Sequence, residues 1–371
     1  MTDFLVVGGG IAGAAAGYFL SRHGAVTLVE METAPGYHAT GRSAALFSEY
    51  YGNDVVRALT EASRPFLTEP PDGFAEHPLL TPRGVVALCP AGAEELFERA
   101  LARGLAAPVP AYEIGPGEVA RHCPVVRPEW FTRALYRPAA ADIDVDALHR
   151  GFLRGITAAG GLVLTQARLH ELVRDGAGWR ARTTAGEVRA GAVVNAAGAW
   201  ADEVAALAGV RPVGLVPRRR TAFLVDGPEG AGAWPMVCDV TETFYVKPES
   251  GALLVSPADA TPAVPGDARA EDLDVALGLE RLREATTLPA RRVRHAWAGL
   301  RTSAADDVPV VGPDPAADGF HWLAGLGGYG VQIAPAVGRA LAAAVVGEAG
   351  ALTDVNEMMA VNRLLSCSGH M

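Results

Sequence analysis

Apolar and polar positions change rhythm several times along the chain, and each change marks an element. Phe4 to Val7 is an unbroken apolar run, which predicts a parallel strand buried on both faces. It leads straight into Gly8-Gly9-Gly10-Ile11-Ala12-Gly13. Ala14 to Leu20 then reads as a helix with a small-residue face, closed by His23-Gly24. Ala25 to Val29 is a second apolar strand ending on Glu30. From Tyr50 to Arg103 the chain is Pro-rich and helical or mixed, which predicts an insertion lying away from this first sheet. Asp144 to Ile156 has helical spacing, with Leu148, Phe152 and Ile156 on one face, and feeds the apolar strand Leu162-Val163-Leu164. Gly178 to Arg182 and Glu187 to Arg189 flank a turn and predict a hairpin before the strand at Val193-Val194. Residues 213–298 alternate apolar and polar, as an antiparallel sheet does. Strand patterns resume between Gly299 and Gly312 and from Phe320 to Ala324, and Gly338 to Val346 is a small-residue helix.

The glycines between first strand and helix spell G-x-G-x-x-G, and acidic Glu30 stands 20 positions beyond Gly10. Gly8 suits a tight turn, Gly10 lets backbone approach a pyrophosphate, and Gly13 lets helix and strand pack closely. The helix N-terminus offers free N–H groups to phosphates, and Glu30 can accept ribose hydroxyls. Two later segments favour FAD over NAD: the glycine- and hydroxyl-rich Gly36 to Ala45, whose amides and Arg42 can meet phosphates and flavin, and the strand-to-turn segment Ala192 to Trp200. The fold class that follows is α/β, with a Rossmann-like FAD-binding domain formed by 1–50, 135–212 and 299–371. It is interleaved with an α+β substrate-binding domain, 51–134 and 213–298, built on an antiparallel sheet.

Composition narrows the partners. Lys+Arg 32 against Asp+Glu 42 gives a formal net charge of -10 over 371 residues, which disfavours nucleic acid. No apolar run reaches the roughly 18 to 20 residues of a bilayer helix, so no membrane span is expected. The chain opens without a basic n-region, h-region or cleavage site, and a cytoplasmic location is expected. The four cysteines, Cys89, Cys123, Cys238 and Cys367, show no metal or dithiol spacing, so no metal site is expected. Lys247 is the only lysine, and its Lys-Pro-Glu-Ser-Gly context reads as a solvated hairpin turn.

The segments Gly36 to Ala45, Glu76 to Leu80, Ala141 to Asp144, Asn195 to Trp200, Phe244 to Pro248, Trp297 to Arg301 and Gly327 to Gln332 carry a resemblance. In this order they resemble the FAD-dependent amino acid and amine oxidoreductases, which include D-amino acid dehydrogenases, glycine oxidase and monomeric sarcosine oxidase. The bacterial D-arginine dehydrogenases are the most similar branch. To Gly8, Gly10, Gly13 and Glu30 the resemblance adds Ala12, Met31, Ala39, Thr40, Gly41, Arg42, Ser43, Ala44, Ala45, Leu46, Leu169, Gly198, Gly327, Gly328, Tyr329, Gly330 and Val331 as cofactor contacts. Sarcosine-type relatives attach flavin to a cysteine near the position of Leu300, and none falls there, so noncovalent FAD is implied.

The implied reaction moves a hydride from the α carbon to flavin N5, giving an imino acid that hydrolyses to a 2-oxo acid and ammonia. Arg301 is placed to grip the substrate carboxylate, with Arg220 as a second contact, because a guanidinium binds a carboxylate bidentately. Tyr245 and Tyr51 would hydrogen-bond the substrate, and the Gly328 carbonyl would take its amine. The chain departs from the branch at two positions: Leu46 replaces a substrate-holding histidine, and Gly84-Val85-Val86 stands where a glutamate receives the arginine side chain. D-arginine is therefore not the expected substrate; an apolar or aromatic D-amino acid, or an imino acid, fits unless Glu49 or Glu242 replaces the missing acid. Alternatives are a biosynthetic secondary-amine or imino acid oxidase, a FAD-linked 2-hydroxy acid dehydrogenase, and a flavin-binding protein without turnover. The apolar Leu253 to Val255, where sarcosine-type relatives carry a lysine for oxygen, leans toward a dehydrogenase that uses a quinone or another acceptor rather than oxygen. A monomer or weak dimer is expected.

Overall fold

The computed structural model of the chain describes residues 1–348 and 353–365, and Cys367 lies outside them. The opening apolar run becomes β1 (Thr2–Val7), flanked in parallel by β2 (Val26–Val29) and by Gly186–Asn195, and its two faces enter different cores, Phe4 and Val6 one and Leu5 and Val7 the other. Leu162–Leu164 extends this sheet beyond β2, and Phe320–Ala324 pairs in parallel with the end of Gly186–Asn195. The predicted hairpin forms as Gly178–Thr183 against Gly186–Asn195, and Leu169–Asp175 completes an eight-stranded sheet at that edge.

Helix α1 (Ile11–Leu20) starts directly after the glycine loop. At Gly8 the backbone has φ 107°, a conformation that L side chains rarely adopt, and a Cβ on Gly13 would stand 1.9 Å from the Gly8 carbonyl oxygen. α1 lies against Val145–Ala158, capped by Asp144, whose side chain accepts from the Ala147 amide at 2.9 Å. It also lies against Gly330–Val346, which begins eight residues before the predicted helix and carries Pro335 inside it. Proline removes a helical hydrogen bond and kinks its surroundings. Here the amide of Ala336 turns to the Ser63 hydroxyl at 3.1 Å.

Ser63 belongs to α2 (Asp54–Thr68), which buries Val55, Val56, Leu59, Phe66 and Leu67 in the same core as α1. This part of the Pro-rich segment therefore lies on the helical layer of the first sheet, where the expectation set it apart. Buried Gln332 pins the contact: its Nε2 donates to Thr60 Oγ1 at 3.0 Å and its Oε1 accepts from the Ser48 amide at 3.1 Å.

The larger sheet has ten strands. Val293–Ser303, Val216–Val225, Ala252–Ser256, Tyr245–Glu249 and Met236–Asp239 pair antiparallel, as the alternation of 213–298 predicts. Met236–Asp239 then joins in parallel to Val85–Cys89, which leads to Arg133–Arg137 and Tyr112–Ile114. The border expected between 134 and 135 falls inside Arg133–Arg137, and the one between 298 and 299 inside Val293–Ser303. Among the described residues, no helix is long and apolar enough to cross a membrane.

Candidate functional site

A long cleft runs from the C-terminal end of β1 to the face of the larger sheet. That is the crevice in which open α/β sheets bind ligands. Gly8, Gly10, Ala12, Glu30, Met31, Ala39, Thr40, Arg42, Ser43, Ala44, Leu169, Gly198, Gly327, Gly328, Gly330 and Val331 all line it, as do Arg301, Arg220 and Tyr245. Gly13, Gly41, Ala45, Leu46, Tyr51 and Tyr329 stand outside the lining. Gly13 is spent on helix–strand packing. Leu46 pairs with Asp142 in a small three-stranded sheet, and Ala45 lines a second, separate cavity.

At the first end, the early amides of α1 have no intrahelical partner. Thr40 Oγ1 accepts from the Ile11 amide at 2.9 Å, while Gly10 and Ala12 border the cleft. Glu30, 7% exposed, accepts from the Gly9 amide at 2.7 Å and the Glu32 amide at 2.9 Å. Each carboxylate oxygen keeps a further acceptor position. His149 supports the loop from behind, with Nε2 2.8 Å from the Gly9 carbonyl; burial lowers its pKa and favours the neutral ring that donates there. Gly198 has φ 57°, and nothing lies within 4 Å of a Cβ built on it. A bed of glycines, free helix-end amides and one fixed carboxylate suits the pyrophosphate and ribose of FAD. Sequence reasoning missed His38, Arg168 and Trp200 in this wall. His38 and Trp200 lie in segments already singled out, and their rings meet at 4.7 Å; Arg168 gives no sequence signal.

Arg42 has a different use from the expected one. Its guanidinium donates to the carbonyls of Ala268 (2.8 Å) and Ala298 (3.0 Å) and pairs with Asp267, whose pKa it lowers. Arg42 thus ties the 266–268 loop to the edge of the cleft, and Trp297 Nε1 donates back to the Arg42 carbonyl at 3.1 Å.

At the other end, strand alternation sorts the triple-arginine run. Arg219 points away from the cleft, to Asp259, Glu271 and Asp274. Arg218 and Arg220 share the opposite face with Ala222, and across the ladder Arg220 stands opposite Gly299 and Arg218 opposite Arg301. Arg218 Nη1 donates to Ser303 Oγ at 2.8 Å, and Arg220 Nε donates to the Asp259 carbonyl at 2.6 Å. Arg301 Nη1 lies 3.4 Å from Tyr51 Oη, and the rings of Tyr51 and Tyr329 meet at 4.8 Å. A Cβ on Gly328 would be 2.6 Å from Arg301 Nη1 and 2.9 Å from Cζ, so the glycine is what lets the guanidinium lie there.

Burial and then the charge of Arg301 push the pKa of Arg220 down. Burial acts against Arg301 as well, but Tyr51 and Tyr245 outweigh it and its pKa is raised. Among the described residues, neither guanidinium has a carboxylate within ion-pair distance. Glu49 does not serve the cleft as the missing acid, because Arg64 holds it at 2.5 Å. Lys247 is not solvated: it is 4% exposed within Tyr245–Glu249, between Asp142 at 2.9 Å and Glu249 at 3.0 Å, and borders the second cavity.

The family described as FAD dependent oxidoreductase matches residues 3–344. FAD-dependent oxidoreductase domain-containing protein 1 of Bos taurus is 35% identical over 171 residues, covering 42% of this chain and 35% of that protein. The match therefore spans about a third of that relative's own length. Glycine oxidase of Geobacillus kaustophilus (strain HTA426) is 26% identical over 357 residues, 92% of each chain. Among solved structures, L-proline dehydrogenase from P. horikoshii shares the fold, with a TM-score of 0.87 over 98% of each chain at 19% identity.

Proposed function

The chain belongs to the FAD dependent oxidoreductase family, and from that premise we propose that it oxidises the carbon–nitrogen bond of an amino acid, with D-amino acids the first class to test. The observation that carries this reading is the pair Arg301 and Arg220, two guanidinium groups in one cleft without a carboxylate partner among the described residues. Two close like charges, partly withdrawn from water, are stabilised by an anion placed between them. A carboxylate fits their planar donors in a way that no single point charge does.

The residues that hold FAD in this reading are the α1 end at Gly10 and Ala12, Glu30, the Ala39 to Ala44 segment, and the Gly327 to Val331 loop. When bound, FAD supplies the acceptor for the two electrons and the hydrogen that leave the substrate carbon. The chain's own part is orientation. Arg301 and Arg220 fix the carboxylate, Tyr245 and Tyr51 offer hydroxyls beside it, and the Gly328 carbonyl accepts from the substrate amine. Fixing both ends of the Cα substituents sets the direction of the C–H bond, an effect that can reach several powers of ten in rate. A cationic side chain gains nothing here, because Arg64 already neutralises Glu49.

The test is anaerobic bleaching of the flavin in the holoenzyme by panels of D- and L-amino acids, N-methylated amines and 2-hydroxy acids. Bleaching by one D-amino acid class supports the reading. Reduction only by N-methylated amino acids replaces the D-amino acid class while leaving the carboxylate clamp in place; reduction only by 2-hydroxy acids, or by none of the panels, overturns the reading.

A further inference from the structure

Resting on the reading above, we propose that the substrate carries a second carboxylate and that Arg137 receives it. Arg137 ends the strand Arg133–Arg137 and stands directly opposite Val85, which in turn stands opposite Met236. Two residues along, Leu135, Ala87, Cys238 and Tyr245 face one another across the same strands. Alternation therefore puts Arg137 on the face that carries Tyr245, the face turned to the cleft. Cys238 and Met236 pack in one apolar group with Tyr245 and Ala222, both of which line the cleft.

Arg137 is a charge without a partner. Its Nε is buried and has no hydrogen-bond partner, and among the described residues no carboxylate lies within ion-pair distance of it. The Tyr50 ring lies over it, with its centroid 5.5 Å from the guanidinium carbon. The nearby acids are engaged or outside: Arg64 holds Glu49, the hydroxyls of Thr241 and Thr243 hold Asp239, and Glu242 is exposed on its turn. A half-buried guanidinium with an unmet N–H is costly unless an anion meets it. Its field reaches Cys238, which stands opposite Tyr245. Burial pushes the Cys238 thiol up to about 12, and Arg137 opposes this more strongly than Asp239 or Glu242 supports it.

The placement calls for a second anion away from the first. From Val216–Val225 the sheet runs through Ala252–Ser256, Tyr245–Glu249, Met236–Asp239 and Val85–Cys89 to Arg133–Arg137. The ladders bring Arg137 level with Leu224, four residues along the strand from Arg220, so the two guanidinium groups stand at separate places on one face. An amino acid whose second carboxylate lies at the end of its side chain, or on the amine nitrogen, presents an anion to each.

The experiment compares glutamate with glutamine, and aspartate with asparagine, in both hands, as reductants of the holoenzyme flavin; Arg137→Gln is run beside the native chain. Each pair has one shape and differs in charge. The expected result is a half-saturation at least tenfold lower for the acid than for its amide. In Arg137→Gln that preference disappears, while the amides change less than twofold and the limiting rates hold. Equal half-saturation for acid and amide in the native chain overturns the inference, as does an Arg137→Gln loss that strikes both alike. If the variant does not fold, the native comparison decides alone. If neutral amino acids bleach the flavin and acidic ones do not, this inference falls and the carboxylate clamp of Arg301 and Arg220 stands; if no amino acid bleaches it, this inference falls together with the proposed amino acid oxidation.

Discussion

Gly328→Ala tests the Arg301 clamp with a single methyl group. The new Cβ would stand 2.6 Å from Nη1, where ordinary contact begins at 3.4 Å, so the guanidinium has to retreat by about 0.8 Å. The backbone itself accepts the change, since Gly328 is not among the residues with positive φ. Misplacing a positioning group by about 1 Å costs on the order of 100-fold, or about 2.7 kcal/mol in transition-state stabilisation. The substitution is therefore expected to lower kcat/KM by roughly 30- to 100-fold, while the melting temperature and FAD content stay within the small range of surface changes. Rapid-mixing flavin reduction with a saturable substrate reads the first, and thermal melting of the holoenzyme reads the second. The decisive arm is the same substitution in an Arg301→Ala background, where no guanidinium remains to be displaced. There the added methyl should cost less than about twofold, so that the coupling between the two positions equals the single effect. Native kcat/KM in Gly328→Ala, or an undiminished loss in the Arg301→Ala background, refutes the reasoning.

Other consequences follow from the same contacts. Glu30→Ala removes two charge-assisted acceptors from the amides of Gly9 and Glu32 and is expected to weaken FAD binding by about 10- to 100-fold, read by flavin titration of the apoprotein. Lys247→Met leaves Glu249 without its buried partner and Asp142 with Arg83 alone; a loss of about 2–3 kcal/mol by chemical denaturation is expected, with the rate of flavin reduction unchanged. Burial lowers the pKa of both His149 and His321, so the unfolded chain binds more protons than the folded one as pH falls through the ordinary histidine range. Stability should then decline on acidification from about pH 6.5 down to the folded values, by at most about 1.4 kcal/mol per pH unit per histidine, and the His149→Gln variant should show a shallower slope in melting against pH.

The parts of this fold that sequence patterning reaches are those in which one local rule decides. Phe4 to Val7 has no polar alternation because each face of β1 enters a core, Phe4 and Val6 the one that holds α1, Leu5 and Val7 the one that holds Val204 and Trp322, and Gly13 is small because the Gly8 carbonyl lies against it. Where two rules compete, the pattern misleads. Pro335 reads as a helix breaker, yet the helix passes through it, and Ser63 from α2 accepts from the neighbouring amide of Ala336. No local pattern contains that hydroxyl, and the same packing draws Asp54–Thr68 into the core of the first sheet.

Charges are harder still, because their meaning lies in register. Arg218, Arg219 and Arg220 are chemically identical neighbours, but the ladder to Val293–Ser303 sends Arg219 to three carboxylates and leaves Arg220 facing the cleft beside Arg301. Lys247 shows the converse. Its Lys-Pro-Glu-Ser-Gly context does turn, at Ser250-Gly251, but the lysine lies far enough inside the strand for the pleat to carry it inward onto Asp142. Arg137 attracted no attention in the sequence, since a lone arginine between Tyr136 and Pro138 resembles any surface charge. Only the pairing of its strand with Val85–Cys89, whose other neighbour is the segment holding Cys238 opposite Tyr245, puts it on the sheet face that carries Tyr245. A single register shift would point it to the opposite face. The direction in which each of these charges points is therefore a property of strand pairing rather than of any motif.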